Sequence, residues 1–195
     1  MREVVLGREL RDRAVVITGG AGGIGQALAR AFGAEGARIV LVDLPSSPLE
    51  EATTKLRAAG IEAVALPCDI TQPEQVRDTM EAARDAFGRI DVLINNAGIV
   101  HRSAFAETRP EVFRRVMDVN LFGALHCTQA GLDELLRRQG LIIAISSIAG
   151  LAPLYGRSGY AASKHAMHGL FESLGAELRD QGAACLLSTS DAADE

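Results

Sequence analysis

A tyrosine and a lysine stand four residues apart, at Tyr160 and Lys164, in a stretch whose composition favours a helix. On a helix this spacing places both side chains on one face. A phenol is a poor base near neutral pH, but a lysine ammonium within a few ångströms favours the phenolate form. The pair could therefore exchange a proton with a substrate hydroxyl or carbonyl group. Taken alone, the same pattern is common as a surface tyrosine beside a surface lysine.

A serine 13 residues before Tyr160 gives the pair a chemical context. Ser147 follows the apolar run Leu141–Ile145, which predicts a buried strand. A hydroxyl at the end of such a strand can hydrogen-bond a carbonyl oxygen and stabilise developing charge. Ser146 is interpreted as a structural neighbour.

A glycine-rich segment, Thr18–Gly25, joins the β-branched strand pattern Val15–Ile17 to an amphipathic helix pattern. Glycines allow the backbone to turn tightly and to approach a ligand closely. The first turn of the helix offers free N–H groups and the positive end of its dipole, which suits a pyrophosphate. Asp43 lies 24 residues after Gly19, at the end of the strand pattern Arg38–Val42, and could hold an adenosine ribose. A structural turn with a chance aspartate is the alternative.

The glycine spacing, Gly-x-x-x-Gly-x-Gly, resembles that of the short-chain dehydrogenase/reductase family. Asn96-Ala97-Gly98 and the serine, tyrosine and lysine described above match the same family, and the resemblance covers Leu10 to about Gly182. It implies an oxidoreductase that transfers a hydride between a nicotinamide cofactor and a secondary alcohol or ketone.

The resemblance also implies roles for individual residues. Tyr160 is expected to be the general acid and base, and Lys164 to hold the nicotinamide ribose. Ser147 is expected to orient the substrate carbonyl, and Asn120 to hold a water for proton relay. The substrate is thus expected to contact Ser147 and Tyr160. The expected cofactor-binding residues are Gly19, Gly23, Ile24, Gly25, Asp43, Asp69, Ile70, Asn96, Ala97, Gly98, Tyr160 and Lys164.

Three of these residues have structural alternatives. Asn120 could be a buried polar residue that bonds its own backbone. Asp69 could serve only as a turn residue before Pro73, and Asn96 could mainly hold neighbouring strands, a role compatible with cofactor binding.

Asp43 bears on the choice between NAD and NADP. A carboxylate there would accept hydrogen bonds from both ribose hydroxyls of NAD and would repel the 2′-phosphate of NADP. Leu44 and Pro45 follow it, and Gly22 precedes Gly23, so no adjacent cation compensates. NAD is therefore the predicted cofactor, with NADP the weaker candidate.

Strand and helix patterns alternate along the chain and predict one α/β domain over residues 1–187. The expected fold is a Rossmann-like, doubly wound parallel sheet flanked by helices, with every candidate site residue just after a strand. The predicted strands are Val15–Ile17, Arg38–Val42, Ile61–Leu66, Asp91–Ile94, Leu141–Ile145 and Ala183–Leu187. The first predicted helix has Ile24 as its first apolar residue. Four further helices are predicted over Leu49–Ala59, Pro73–Phe87, Pro110–Arg138 with a slack point at Gly123, and Arg157–Asp180.

Composition excludes several classes of partner. The net charge of −5 without a basic cluster argues against nucleic acid and anionic membranes, and no apolar run is long enough to span a bilayer. Cys68, Cys127 and Cys185 form no Cys-x-x-Cys pair, which favours a reducing compartment, and the cytoplasm is expected. His165 and His168 lack further ligands in the sequence, so no metal site is expected.

The C-terminal part departs from the family pattern. Ser188–Glu195 is small and acidic and is expected to be a disordered tail. The chain is therefore expected to lack the last strand and the substrate lid, as a truncated member of the family would. An inactive fragment or a non-catalytic nucleotide-binding protein is the alternative function, and a methyltransferase would leave the tyrosine and lysine without a role.

Two loops, Ile99–Phe105 and Ile148–Tyr155, are expected to line the mouth of the site. Their apolar character favours a hydrophobic alcohol or ketone as substrate. A homodimer is expected to form through the long helices around Glu111–Arg138 and Arg157–Arg179.

Overall fold

The computed structural model describes residues 9–190, which form one parallel sheet with helices on both faces. The strands are β1 Ala14–Thr18, β2 Arg38–Asp43, β3 Ala63–Pro67, β4 Val92–Asn95, β5 Leu141–Ser147 and β6 Ala184–Ser190. The α-helices are α1 Gly23–Ala34, α2 Leu49–Ala58, α3 Pro73–Phe87, α4 Pro110–Met117, α5 Ala124–Arg137 and α6 Ser158–Leu178. A π-helical turn spans Asp118–Gly123, and short 3₁₀ turns span Phe105–Glu107, Ile148–Gly150 and Arg179–Gln181.

The sheet has the order β3-β2-β1-β4-β5-β6, and all its neighbouring strands are parallel. The chain builds outward from β1 in one direction and, after β3, crosses to build outward in the other. This reversal between β1 and β4 leaves a crevice at the carboxyl ends of the strands, where doubly wound sheets bind ligands. The predicted fold class is confirmed.

Alternate residues of the strands enter two cores, one on each face of the sheet. Val16, Leu93 and Ile142 pack with α3, α5 and α6, whereas Val15 and Ile17 pack with α1 and α2. Because both faces are covered, the strands are apolar at nearly every position.

The predicted helical segment Pro110–Arg138 is present, and the π-helical turn Asp118–Gly123 that interrupts it includes the slack point expected at Gly123. A Cβ at Gly123 would lie 2.5 Å from Ile70 Cδ1, so the glycine lets this segment approach the loop after β3. The wider turn also buries Asn120 completely. Such insertions into α-helices are frequent at functional sites.

The last strand extends beyond its predicted end at Leu187. Ser188 and Thr189 pair with Ile145 and Ser146, because β5 itself continues to Ser147 and supplies backbone partners whatever the side chains are. The prediction of a tail from Ser188 is therefore wrong for residues 188–190, while residues 191–195 lie outside the described part. Within residues 9–190 there is no seventh strand, and no helix is long and apolar enough to cross a membrane.

A buried carboxylate joins the amino ends of β1 and β4. Asp91 accepts hydrogen bonds from Arg13 at 2.8 Å, from Arg89 at 2.6 Å through each of two nitrogens, and from the Ala14 N–H at 3.0 Å. Burial opposes ionisation of Asp91, but these bonds outweigh it and hold the pKa of the carboxyl below its ordinary value.

Candidate active site

A cavity of about 340 Å³ occupies the crevice at the carboxyl ends of β1, β2 and β4. It contains most of the residues that the sequence predicts to bind a cofactor, together with several that it did not single out. The lining residues are Gly19, Gly22, Gly23, Ile24, Gly25, Val42, Asp43, Leu44, Cys68, Asp69, Ile70, Asn96, Ala97, Gly98, Ile99, Arg115 and Val119.

The glycines of the turn before α1 serve two different purposes. Gly19 has φ +66°, and a Cβ there would lie 2.8 Å from Ala97 Cα, while a Cβ at Gly25 would overlap the Gly19 carbonyl oxygen. These two positions need glycine to let β1, β4 and α1 meet. A Cβ at Gly23, in contrast, would meet nothing within 4 Å, because this residue faces the cavity. Space is left there for a ligand at the helix N-terminus, which fits a dinucleotide pyrophosphate.

The Asp43 carboxylate is held at the cavity wall by two backbone groups. Its Oδ2 accepts from the Ala21 N–H at 2.9 Å, and its Oδ1 accepts from the Leu44 N–H at 2.8 Å. A carboxylate offers about four acceptor positions, so roughly two remain for ligand hydroxyl groups. The geometry therefore fits the predicted grip on a ribose.

A threonine that sequence reasoning left without a role organises the junction of β1 and β4. Thr18 Oγ1 accepts hydrogen bonds from the N–H groups of Asn96 and Ala97, both at 3.1 Å, and donates to the Ile94 carbonyl at 3.3 Å. Asn96 Nδ2 donates to the carbonyls of Thr18 and Gly19. Asn96 thus holds the two strands together and also lines the cavity, as the sequence analysis allowed. The position of Thr18 immediately before the glycines was the available signal.

Asp69 makes the contacts of the expected turn and also lines the cavity. Its Oδ1 accepts from the Thr71 N–H at 3.0 Å and from the Thr71 hydroxyl at 2.7 Å, which forms the turn that leads into α3. Asp69 and Ile70 both line the cavity as well.

Asn120 links three segments around the site. Its Oδ1 accepts from the Ile99 N–H at 2.8 Å, and its Nδ2 donates to the Ile99 carbonyl at 3.0 Å and to Ser163 Oγ at 2.9 Å. Ser163 in turn donates to the Tyr160 carbonyl at 2.7 Å. Asn120 therefore bonds the loop after β4 and helix α6 rather than its own backbone. Its role in holding a water stays a prediction.

Tyr160 and Lys164 share one face of α6, as their spacing predicts, and both are buried. Lys164 Nζ lies 5.8 Å from the centre of the Tyr160 ring and donates to the Ile145 carbonyl at 2.8 Å. Burial lowers the pKa of Lys164 to about 8, so the ammonium form still predominates at neutral pH. A buried cation beside a phenol is the arrangement that favours proton transfer.

The cavity and the buried pair adjoin each other at Gly98. A Cβ there would lie 3.2 Å from Asn120 Oδ1 and 3.8 Å from Lys164 Nζ. A ligand that extends along the cavity past Gly98 would therefore reach the Lys164 ammonium.

The hydroxyl groups of Ser146 and Ser147 differ in their hydrogen bonds. Ser147 Oγ accepts from the Ala149 N–H at 3.2 Å, which leaves its own proton available to donate. Ser146 Oγ is paired with His168 Nε2 at 2.9 Å, and His168 Nδ1 lies 3.4 Å from Glu172. These contacts support Ser147 as the reactive position and Ser146 as its structural neighbour. Among residues 9–190, no three histidine, cysteine or acidic side chains are grouped to hold a metal.

Comparison with known proteins identifies the family. The model of the short chain dehydrogenase family matches residues 13–187. The chain is a member of this family. Its relatives include dehydrogenase/reductase SDR family member 7B of Bos taurus, which is 44% identical over 177 residues, and the uncharacterized oxidoreductase YxjF of Bacillus subtilis, which is 36% identical over 162 residues.

The chain aligns over 87% of its own length with the bovine protein and over 83% with the B. subtilis protein. It spans 54% and 63% of those two proteins. Among solved structures, a short-chain dehydrogenase/reductase from Burkholderia phymatum in complex with NAD superposes with a TM-score of 0.88 at 32% identity, covering 92% of this chain and 66% of that one. NAD⁺-bound xylitol dehydrogenase superposes with a TM-score of 0.86 at 30% identity, covering 91% of this chain and 68% of the other.

The two loops expected at the mouth of the site are joined by a hydrogen bond. The Ser103 N–H donates to the Gly156 carbonyl at 2.9 Å, which ties the loop after β4 to the loop before α6. Large apolar side chains are exposed on both loops and on the turn after β5, namely those of Ile99, Val100, Phe105, Ile148, Leu151 and Tyr155.

Proposed function

We propose that the chain carries an NAD-dependent oxidoreductase site that interconverts a secondary alcohol and a ketone. The observation that carries this proposal is the buried pair Tyr160 and Lys164, whose ammonium lies beside Gly98 in the wall of the cavity. Ser147 is buried at the end of β5. A protein that only sensed a nucleotide would have no need to bury a lysine and a tyrosine side by side, because burial of a charge is costly.

Each side chain has one task in this mechanism. NAD, when bound, supplies the acceptor or donor of the hydride. Ser147 donates a hydrogen bond to the substrate oxygen and holds it beside Tyr160, whose hydroxyl gives or takes the proton. Lys164 keeps a positive charge next to Tyr160 at neutral pH, because burial lowers its pKa only to about 8. Its ammonium would also hold the ribose hydroxyls of the cofactor.

The Asn120 side chain holds backbone groups of two segments that border this site. By holding Ile99 and, through Ser163, the carbonyl of Tyr160, it fixes the floor of the site relative to α6. We propose that it also orients a water that relays the proton to solvent.

Asp43 supports NAD as the cofactor rather than NADP. Its two free acceptor positions suit ribose hydroxyls, and its negative charge opposes a 2′-phosphate. Leu44 beside it and Gly22 in the turn bring no positive charge. The likeness to two NAD-bound structures points in the same direction.

The apolar side chains at the mouth support a hydrophobic substrate. Val100, Leu151 and Tyr155 leave 55%, 64% and 93% of their surface exposed, an arrangement that an apolar alcohol or ketone would cover. A homodimer through α5 and α6, and a location in the cytoplasm, remain predictions from the sequence.

The Tyr160→Phe variant tests the proposal, with Tyr155→Phe as a matched control on the exposed tyrosine. Binding is followed by nicotinamide fluorescence with NADH and NADPH, and turnover by a screen of secondary alcohols and ketones. We expect Tyr160→Phe to lose turnover while it binds NADH as tightly as the parent, and Tyr155→Phe to keep both.

The possible failures have different meanings. NADH binding without any turnover that depends on Tyr160 would favour a non-catalytic nucleotide-binding protein. The absence of binding to either dinucleotide would refute the proposal, and tighter binding of NADPH than of NADH would refute the role of Asp43.

A further inference from the structure

Arg115 is a cavity residue that neither the sequence motifs nor the proposed mechanism uses. It lies in the last turn of α4 and lines the cavity, and the residue is exposed. Within residues 9–190, its guanidinium makes no hydrogen bond or ion pair with another residue. Because it lies at the cavity and has no partner in the described part of the chain, it is available to a ligand.

The other charged groups of the cavity are acidic, so the positive charge of Arg115 matters for the binding of an anion. Asp43 and Asp69 are acidic, and among the described lining residues Arg115 alone is basic. The pyrophosphate of a dinucleotide adds two negative charges, against which the N-terminus of α1 offers only about half a positive charge. Arg115 reduces the net charge of the lining side chains from −2 to −1 and so weakens the repulsion of an anionic ligand.

The other residues that line the cavity indicate which half of the dinucleotide Arg115 would meet. Val119, one turn later, also lines the cavity, and Gly123 on the same stretch packs against Ile70. The cavity that these side chains line includes Asp43, Asp69 and Ile70, which are expected at the adenosine half, whereas Lys164, expected at the nicotinamide ribose, is not among its described lining residues.

We propose that Arg115 is a cationic contact for the adenosine diphosphate half of the dinucleotide. The inference rests on the proposed function, because it takes the cavity to hold a dinucleotide. A guanidinium suits this partner, since its planar donors match phosphate oxygens and its face stacks on aromatic rings.

Arg114 provides a matched control on the same helix. It is also exposed, but it does not line the cavity and it lies 3.7 Å from Glu111. Wild type, Arg115→Ala, Arg115→Lys and Arg114→Ala are titrated calorimetrically with ADP, NADH and reduced nicotinamide mononucleotide. Equal thermal midpoints of the four proteins verify that each is folded, which the exposure of both side chains leads us to expect.

We expect Arg115→Ala to weaken binding of ADP and NADH by about three- to fivefold at about 0.1 M salt, the size of effect that exposed charges give. The loss should shrink at about 1 M salt, where the Debye length falls from about 10 Å to about 3 Å. Arg115→Lys should retain most of the affinity, and Arg114→Ala should bind like wild type. The mononucleotide should bind all four proteins equally.

Two results would overturn the inference while the proposed function stands. One is wild-type affinity of Arg115→Ala for ADP and NADH, and the other is an equal loss with the mononucleotide. If wild type itself binds neither NADH nor ADP, the proposed function fails and this inference fails with it.

Discussion

Replacement of Lys164 by methionine should make the ligand-free protein more stable at neutral pH while it removes turnover. Lys164 is 4% exposed, and burial lowers its pKa from the ordinary 10.5 to about 8. The ammonium is therefore held in the folded chain at a cost in free energy, and the proposed function, which needs the charge beside Tyr160, would explain why this cost is retained. Methionine has a similar length and no charge to bury.

The size of the effect follows from the two pKa values. The difference between 10.5 and about 8 corresponds to roughly 3 kcal/mol, at about 1.4 kcal/mol for each pH unit. Methionine forfeits the hydrogen bond from Nζ to the Ile145 carbonyl, which costs about 1–2 kcal/mol. The net gain in the free energy of unfolding at pH 7 is therefore about 1–2 kcal/mol.

The gain should also depend on pH in a defined direction. Between about pH 8 and 10.5 the unfolded chain binds more protons at Lys164 than the folded chain, so the wild-type free energy of unfolding rises with pH. The advantage of the methionine variant is thus complete below about pH 8 and disappears by about pH 10.

Urea denaturation at pH 7 and pH 10 measures both quantities. Lys55→Met is the control, because Lys55 is exposed and should change stability little at either pH. A Lys164→Met variant that is less stable than wild type at pH 7, or that differs from it equally at both pH values, would refute the reasoning.

Two further predictions concern the scaffold. Gly123→Ala should lose about 1–3 kcal/mol of unfolding free energy and weaken NADH binding, because its Cβ would displace Ile70. Gly169→Ala, at an exposed position of α6 with nothing within 4 Å of the added Cβ, should gain up to about 1 kcal/mol. Equal effects of the two substitutions in urea titrations would contradict this reasoning. Asp91→Asn should lose about 2 kcal/mol at pH 7, because Arg13 and Arg89 lose their carboxylate. The pKa of Asp91 is lowered by folding, so wild type should lose this advantage as the pH falls below 3.8, and denaturation curves at pH 7 and in acid that show a constant difference would exclude the mechanism.

Local patterns were sufficient for much of this architecture. Six apolar runs specified six strands, because a parallel sheet covered on both faces has no polar side to interrupt them. The glycine turn and Asp43 were found from their spacing between strand and helix patterns, and the pair Tyr160 and Lys164 from its spacing together with Ser147 and the family resemblance. In each case the chemistry and the geometry reside within one element and the turn beside it.

The features that sequence reasoning missed depend on contacts between distant segments. A slack point was expected at Gly123, but its π-helical form and the close approach of Gly123 to Ile70 were not, because periodicity carries no sign of such a contact. Ser188 and Thr189 are strand residues only because β5 lies beside them. Arg115 reaches the cavity only through the packing of α4 against it.

Asn120 holds Ile99 through the two main-chain groups of that residue and not through its side chain. The Asn120 side-chain amide thus bonds the same main-chain groups that a neighbouring strand would bond, just after β4 has ended. These hydrogen bonds do not depend on which side chain residue 99 carries. Ile99 is partly exposed at the boundary between the cofactor cavity and the mouth. Under the proposed function, substitution at Ile99 would therefore change the substrate range, in evolution or by design, while the backbone around the site stays in place.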